Sequence, residues 1–318
     1  MTVAAINSTS ASALALLTGS TKALQASQTQ FSSGLRVKEA SDNAAYWSIA
    51  TTMKSQELSL SSAEDATGIS AAVADTAALG VEAAAGIVSE IQSRLIIAQS
   101  LGSGRAAVNG EITALKEQLG TIAKSSSFSG QNWLQLDSGQ QPKVQSMVAS
   151  VTQNEDGVAV NVIDFDTAKS TLVSAEDADD GILTRAYSGT TSGGNSYEYF
   201  LLDADSAVPA SPTAQVIEVS DATSYDEIEG MISSVNAMFS RLADAGSSIG
   251  ATRGRISAST ELLKDMQDVT QIGIGRLVDA DMGEQAVLMR ALQAQQQLQT
   301  QSLNIANTRA TSMLNLFA

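Results

Sequence analysis

The chain has 318 residues, with 18 basic and 34 acidic side chains, a formal net charge of −16, and neither cysteine nor histidine. The lack of both residue types excludes zinc fingers, iron–sulfur clusters, disulfide scaffolds and Cys- or His-based catalysis. Aromatic residues make up only 4% of the chain, few for an enzyme pocket with rigid apolar walls. We therefore expect no enzymatic activity and no cofactor or metal, and the acidic balance argues against a nucleic-acid partner.

The prolines divide the chain into two arms and a middle. All three lie between Pro142 and Pro212, so both arms lack proline, while apolar residues make up 43% of the chain. Alanine, the best helix former, is abundant in the arms. Residues 142–230 carry 3 basic and 16 acidic side chains and hold most of the net charge. The arms are predicted to be long helices, and the acidic middle an exposed segment.

Two seams of helical periodicity define the arms. Steps of four and three from Ile228 stay mostly apolar over about 50 residues, as in a coiled coil. A shorter seam begins at Val108, and Gly102–Gly104 should separate it from an alanine-rich helix within residues 44–100 that Ser41 or Asp42 would cap. The predicted bundle-seam residues are Val108, Ile112, Leu115, Leu119, Ile228, Ile232, Val235, Phe239, Leu242, Ile249, Ile256 and Leu263.

The extreme ends are apolar on more than one side. In residues 285–318, one stripe holds Leu292 and Leu303, and a second, about 120° away on a helix, holds Leu298 and Ile305. A helix apolar on two sides needs neighbours on two sides, which a monomer does not easily supply. We therefore predict contacts between subunits through Leu14, Leu17, Leu24, Phe31, Leu35, Leu292, Leu298, Leu303, Ile305 and Leu314.

The middle segment has β-type patterns. Residues 158–163 alternate apolar and polar side chains, and runs at 197–202 and 215–219 are rich in β formers. The predicted fold is mainly α, an elongated antiparallel helical bundle or coiled coil with paired terminal helices and a small β-containing outer insert. The expected divisions are 1–43, a coiled-coil helix and spoke loop; 44–141, bundle helices and the start of the β region; 142–223, the acidic β-rich outer domain; 224–278, a bundle helix; and 279–318, a coiled-coil helix.

Three polar features have alternative interpretations. Arg253, at a seam position, could form an inter-helix ion pair or extend to the edge of the groove. The acidic run at 176–180 could bind a cation or be a solvated loop, and it lacks the calcium-loop pattern. Asp279 and Asp281 imitate an acid/base pair, yet no nucleophile or cofactor loop accompanies them, so we expect them to cap the last helix.

Several motifs at both ends resemble bacterial flagellin. They are Phe-Ser-Ser-Gly-Leu-Arg at 31–36, Ser-Asp-Asn-Ala-Ala at 41–45, Gly-Ser-Ser-Ile-Gly-Ala at 246–251 and Met-Leu-Asn-Leu at 313–316. The resemblance covers roughly residues 1–140 and 225–318, and the order and spacing of the motifs make it specific. It adds Gly34, Arg36 and Leu316 to the expected subunit-packing residues, although Gly34 could simply end a helix.

The resemblance implies a structural subunit of the flagellar filament that serves motility. Its partners would be other flagellin subunits, the flagellar cap and junction proteins, and an export chaperone, without membrane insertion. It would be secreted through the flagellar type III export apparatus without a cleavable signal peptide, and reside in the extracellular filament. Unusual residues at Tyr46-Trp47 suggest the rigid complex filaments of soil bacteria. The terminal helices are expected to be disordered in the monomer and to order on assembly.

Immune receptors bind members of this family, and this chain departs from the pattern that the receptors recognise. For an animal Toll-like receptor, the resemblance implies an epitope around Gln92, Arg94, Ile96 and Glu111, of which Arg94 and Glu111 fit the pattern. Gln92 and Ile96 stand where arginine and leucine are common, and glutamine lacks the donor fork of arginine. We expect poor receptor activation.

Two other functions share part of the pattern. A hook–filament junction protein has flagellin-like ends, but the resemblance here extends through both bundle segments. A cytoplasmic coiled-coil signalling module has long heptads, but gives no reason for an acidic β-rich insert.

Overall fold

The computed structural model describes residues 2–154 and 157–314, and the side chains of residues 11–152, 159–305 and 308. The predicted mainly helical fold with a small β insert is confirmed. The helices are α1 (Thr2–Ser33), α2 (Ala44–Ser100), α3 (Arg105–Ser125), α4 (Tyr225–Val278) and α5 (Met282–Leu314). The strands are β1 (Ser127–Phe128), β2 (Gln131–Asn132), β3 (Gln135–Leu136), β4 (Val144–Asn154), β5 (Gly157–Asp166), β6 (Val173–Ser174), β7 (Tyr187–Thr190), β8 (Ser196–Phe200) and β9 (Gln215–Val216).

The chain divides into two compact units. Unit 1 contains residues 1–58 and 267–318, and unit 2 contains residues 59–266. Unit 1 therefore holds α1, α5, the first turns of α2 and the last turns of α4. Unit 2 holds the remainder of α2 and α4, together with α3 and all the strands.

In unit 2, α2 and α4 run antiparallel. Polar pairs link Glu64 with Lys264, Asp75 with Arg253, and Gln92 with Asn236, so the numbering rises on one helix as it falls on the other. Most buried positions of α2 in unit 2 follow spacings of three and four, as a heptad seam requires, with one gap of seven after Thr67. The seam positions are Leu60, Ala63, Thr67, Ala74, Ala77, Val81, Ala84, Val88, Ile91, Leu95 and Ala98, and Val73, Gly80 and Ile87 are buried beside them.

The seam on α4 has a different register from the predicted one. Every seventh residue from Ile228 to Leu263 is buried as predicted, but the second column, from Met231 to Thr252, lies three residues after the first, not four. The prediction of Phe239 as a seam residue is therefore wrong, because its side chain is 42% exposed, and Met238 is buried in its place. Likewise Thr252 is buried, and Arg253 extends outward to pair with Asp75. The buried seam residues of α4 in unit 2 are Ile228, Met231, Val235, Met238, Leu242, Ala245, Ile249, Thr252, Ile256 and Leu263, and Gly230 and Ser234 are buried beside them.

The third helix and the β insert complete the same core. Val108, Ile112 and Leu119 of α3 are buried, and Leu115 and Ile232 pack half-buried at the edge of the core. The long hairpin β4–β5 is antiparallel, β3 pairs with β6 in parallel, and β8 lies between antiparallel β7 and parallel β9. Trp133 stacks on Phe165 with ring centroids 4.4 Å apart. The insert thus shares one hydrophobic core with the helices of unit 2.

Helix α2 is long and apolar enough to cross a membrane by length and composition alone. Its apolar residues between Val73 and Ala98 are largely buried in the core of unit 2. Packing inside the protein therefore accounts for the apolar composition of this helix.

Helix α2 makes a close contact at Gly80 with the segment that follows α3. A Cβ added at Gly80 would overlap the side chains of Leu134 and Ser126, whereas one at Gly86 on the same helix would meet nothing within 4 Å. Gly80→Ala should lower the free energy of unfolding by about 1–3 kcal/mol through overpacking. Gly86→Ala, the matched control, should raise it by about 0.5–1 kcal/mol, because alanine favours the helix. Urea unfolding of both variants measures the difference, and equal effects would contradict the close packing.

A half-buried lysine makes the stability of unit 2 sensitive to pH. Lys116 Nζ donates to the carbonyl of Ile217 at 2.6 Å, and burial lowers the pKa of Lys116 to about 8, although nearby Glu218 opposes the shift. The unfolded chain, with a lysine pKa of 10.5, binds more protons between these values. The free energy of unfolding should therefore rise by about 3 kcal/mol from pH 8 to pH 10.5 because of this group.

Lys116→Met should remove that part of the pH dependence, whereas Lys124→Met, an exposed change on the same helix, should retain it. Urea unfolding across the alkaline range measures both slopes. A slope unchanged by Lys116→Met would show that this lysine is not the cause.

Candidate subunit-packing surface

Unit 1 is built on an antiparallel pair of terminal helices. The side chains of α1 that face α5 include both small polar and apolar residues: Ser20 hydrogen-bonds to Gln299, Ser27 hydrogen-bonds to Gln285 at 3.3 Å, and Leu24 between them is buried. Gln296 Nε2 also donates to Thr21 Oγ1 at 3.2 Å. Ser20 and Ser27 are buried, so this contact uses hydrogen bonds at some of the positions where a coiled coil would place leucines.

Large apolar side chains of the same two helices remain in contact with water. On α1, Leu14 is 56% exposed and Leu16 is 64% exposed; on α5, Val287 is 70% exposed and Leu298 is 68% exposed. Phe31, Leu288 and Ile305 are also exposed. A patch of this kind on a soluble protein marks an interaction site.

The predicted packing residues fall into three groups. Leu14, Phe31, Leu298 and Ile305 are exposed, and Leu17, Leu292 and Leu303 are half-buried. Leu24 is only 8% exposed, so its contact lies within the chain and its assignment to the subunit-packing set is corrected. Leu316 and the side chain of Leu314 lie outside the described residues. The residue list from the sequence missed Leu16, Val287 and Leu288, which a complete search of these helices for apolar residues would have found.

The spoke segment after α1 docks on the end of α4. Gly34, at φ +70°, ends α1, and the amide of Ala280 donates to its carbonyl at 2.9 Å. Arg36 donates from its backbone to Val278 and from its guanidinium to the carbonyl of Leu277 at 3.1 Å. A cation at a helix C-terminus is favourable. Gly34 and Arg36 thus make their contacts inside the chain. Leu35, between them, is half-buried and packs beside Val278.

Side-chain caps mark the starts of α2 and α5. The Asn43 side chain accepts from the amide of Tyr46, so Asn43, and neither Ser41 nor Asp42, caps α2. Asp42 instead accepts from the amides of Lys38 and Glu39, and these bonds hold its pKa below its usual value. Asp281 accepts from the amides of Gly283 and Glu284 and caps α5, as the sequence predicts.

The residues of the expected receptor epitope lie in unit 2, where Arg94 and Gln92 of α2 contact different neighbouring helices. Arg94 of α2 pairs with Glu111 of α3 at 3.1 Å and with Glu90 at 3.3 Å. Gln92 donates to Asn236 at 2.7 Å, and Ile96 is exposed.

Within the described ranges, no group of three or more carboxylates is placed to hold a metal ion.

Comparison with known proteins agrees with this architecture. The family model described as the bacterial flagellin N-terminal helical region matches residues 5–138, and the one described as the bacterial flagellin C-terminal helical region matches residues 232–317. Together they cover α1 to β3, most of α4, and α5.

Relatives extend the similarity through the insert. Flagellin C of Rhizobium meliloti strain 1021 is 40% identical over 322 aligned residues, which span 100% of this chain and 99% of that protein. Flagellin A of Rhizobium meliloti is 33% identical over the full length of both chains. A flagellin of Brucella melitensis is 31% identical over 98% of this chain and 97% of its own length.

The chain belongs to the bacterial flagellin family. It is a structural subunit of the flagellar filament, as its resemblance to the family implied. The filament is extracellular, and the partners within it are other flagellin subunits.

Proposed function

We propose that the exposed apolar residues of α1 and α5 form the surface through which subunits of this flagellin pack in the filament. This surface comprises Leu14, Leu16, Phe31, Val287, Leu288, Leu298 and Ile305. The observation that carries the proposal is that these side chains stay exposed although α1 and α5 are paired. Half-buried Leu17, Leu292 and Leu303 extend the surface at its edges.

The energy available from this surface is large. Full burial of one leucine, valine, isoleucine or phenylalanine side chain contributes about 1.5–3 kcal/mol. Burial of all seven residues would therefore contribute several times the free energy that the loss of one contact removes. Ordering of the helices and the loss of rigid-body freedom on association offset part of this gain. Assembly should consequently depend on several of these residues, and a charge placed among them should be costly.

The position of the surface supports an open filament. Leu14 and Leu16 are both exposed and lie about 160° apart on α1, so one subunit can contact neighbours on two sides. A heterologous contact whose rotation does not close generates a helical polymer. This supports repeated addition of the same subunit over a closed dimer.

The junction-protein alternative receives less support. The two flagellin family matches include the bundle helices of unit 2, and relatives called flagellin align from end to end. A cytoplasmic signalling module has no comparable support. We propose a structural role without a catalysed reaction, and the family further suggests cap, junction and export-chaperone partners, export without a cleavable signal peptide, and a complex filament.

We also propose weak recognition by an animal Toll-like receptor. Gln92 is engaged with Asn236, and Arg94 is shared between Glu90 and Glu111, so few cationic donors are free in this region. A reporter-cell assay of the purified monomer should give low activation, and Gln92→Arg should raise it. Activation by the unchanged chain at the level of a strongly recognised flagellin would refute this proposal.

Leu298→Asp should prevent filament growth while leaving the helical circular dichroism of the chain unchanged. The carboxylate would be buried without a partner when subunits pack. Gln293→Asp is the matched control, because Gln293 is exposed on the same helix about 140° away from Leu298. Negative-stain microscopy of seeded protein measures filament length. Long filaments from Leu298→Asp, or equal loss from both variants, would contradict the packing role.

A further inference from the structure

A small cavity in unit 2 lies between α4 and two short turns of the insert. Its volume is about 250 Å³. Residues Thr167–Lys169 form one 3₁₀ turn and Ala178–Asp180 the other. The charged residues that line the cavity are Lys169, Asp180, Arg185, Arg241 and Asp244, with Ser248 beside them. Arg241, Asp244 and Ser248 are spaced by three and four residues, which places them on one face of α4.

The cavity concentrates positive charge in an acidic segment. Residues 142–230 contain only three basic side chains, and two of them, Lys169 and Arg185, line this cavity. Arg241 supplies a third cation from α4. In the part of the chain that the structure describes, none of the three has a carboxylate within ion-pair distance. Their donors are therefore not used by internal salt bridges.

Arg185 is held in place but incompletely bonded. Its Nη2 donates to the backbone carbonyl of Asp179. Its Nε is buried and has no hydrogen-bond partner among the described residues. A buried donor of a charged group without an acceptor is costly, so the side chain is suited to an acceptor brought by a ligand.

Arg241 of α4 forms the opposite wall. The guanidinium of Arg241 lies over the ring of Tyr187, with 5.9 Å from its central carbon to the ring centroid. Tyr187 is buried, and its hydroxyl donates to the carbonyl of Ile182 at 2.8 Å. Burial raises the pKa of Tyr187 to about 12, so the phenol stays neutral under ordinary conditions. A cation–π contact of this kind positions Arg241 without using its N–H donors.

Two carboxyl groups oppose the cations. Asp244 is exposed on α4, and Asp180 is half-buried in the second turn. The pKa of Asp180 is raised, first by burial and then by Asp177, while Arg185 acts in the opposite direction. The lining therefore carries three cationic side chains and two carboxyl groups. Because the excess of positive charge is small, the cavity attracts an anion at short range, through hydrogen bonds.

We propose that this cavity binds an inorganic oxyanion, phosphate or sulfate, held by Lys169, Arg185 and Arg241. Guanidinium groups match the geometry of such oxygens, and charge-assisted bonds to them are strong. The bound ion would join both turns of the insert to α4. This inference is independent of filament assembly and can be tested on the monomer.

Isothermal titration calorimetry of the full chain with inorganic phosphate at neutral pH tests the proposal, with ionic strength held constant by sodium chloride. We expect saturable binding with a Kd on the order of 1 mM, since opposing carboxylates weaken the site. Hydrogen exchange should show added protection in residues 178–187. Replacement of phosphate by sulfate should give a similar result, whereas chloride alone should not.

Matched variants decide whether the cavity is the site. Arg241→Gln should weaken binding about tenfold or more, whereas Arg255→Gln, which removes the same charge from an exposed position on α4, should leave it unchanged. Asp244→Asn should tighten binding about threefold, a gain that misfolding would not produce. Equal weakening by both arginine variants, no gain from Asp244→Asn, or no saturable binding to the unchanged chain would overturn the proposal.

Discussion

The terminal helices pair through serine, threonine and glutamine side chains together with Leu24, while Leu14, Leu16 and Leu298 stay in water. Ser20, Leu24 and Ser27 occupy the buried positions of the contact, and the two serine hydroxyls bond to glutamines of α5. Hydrogen bonds of this type contribute about 1 kcal/mol each. Exposed leucines, by contrast, retain their full tendency to leave water. The pair is therefore specific in alignment but incomplete as a core, and its completion requires further chains.

In unit 2, by contrast, the helices pack mainly through apolar side chains. Its α2–α4 seam buries alanine, leucine, isoleucine and valine in a regular heptad, and α3 and the insert cover the remaining sides. Polar pairs such as Asp75–Arg253 lie at the edge of this seam and mark the alignment of the helices. Exposed ion pairs contribute little stability. Unit 2 thus forms a large core within one chain, although Ile69, Leu79 and Leu262 of its helices stay exposed.

Much of the helical architecture could be predicted from periodicity, but its register could not. From Ile228, steps of four lead to Ile232 and Phe239, and steps of three lead to Met231 and Met238; all are apolar, so hydropathy does not separate the two walks. The partner helix decides between them, and the chain buries the methionines. Leu24 shows the same limit, because an apolar residue on a predicted surface can be covered by its own chain.

The cavity was beyond prediction for another reason. Lys169, Arg185 and Arg241 are far apart in sequence and follow no motif, so only the fold brings them to one place. The domain boundaries and the roles of individual packing residues stay predictions. The disorder of α1 and α5 in the monomer, expected from their lack of a core, stays a prediction as well.

Hydrogen exchange of monomer and seeded filament, compared amide by amide, tests most directly whether assembly completes the incomplete terminal pair. The account predicts that amides of residues 11–33 and 282–305 exchange rapidly in the monomer and become strongly protected in the filament. Amides in the seam of unit 2, from Val73 to Ala98, should be protected equally in both. Strong protection of the terminal helices in the isolated monomer, unchanged on assembly, would contradict it.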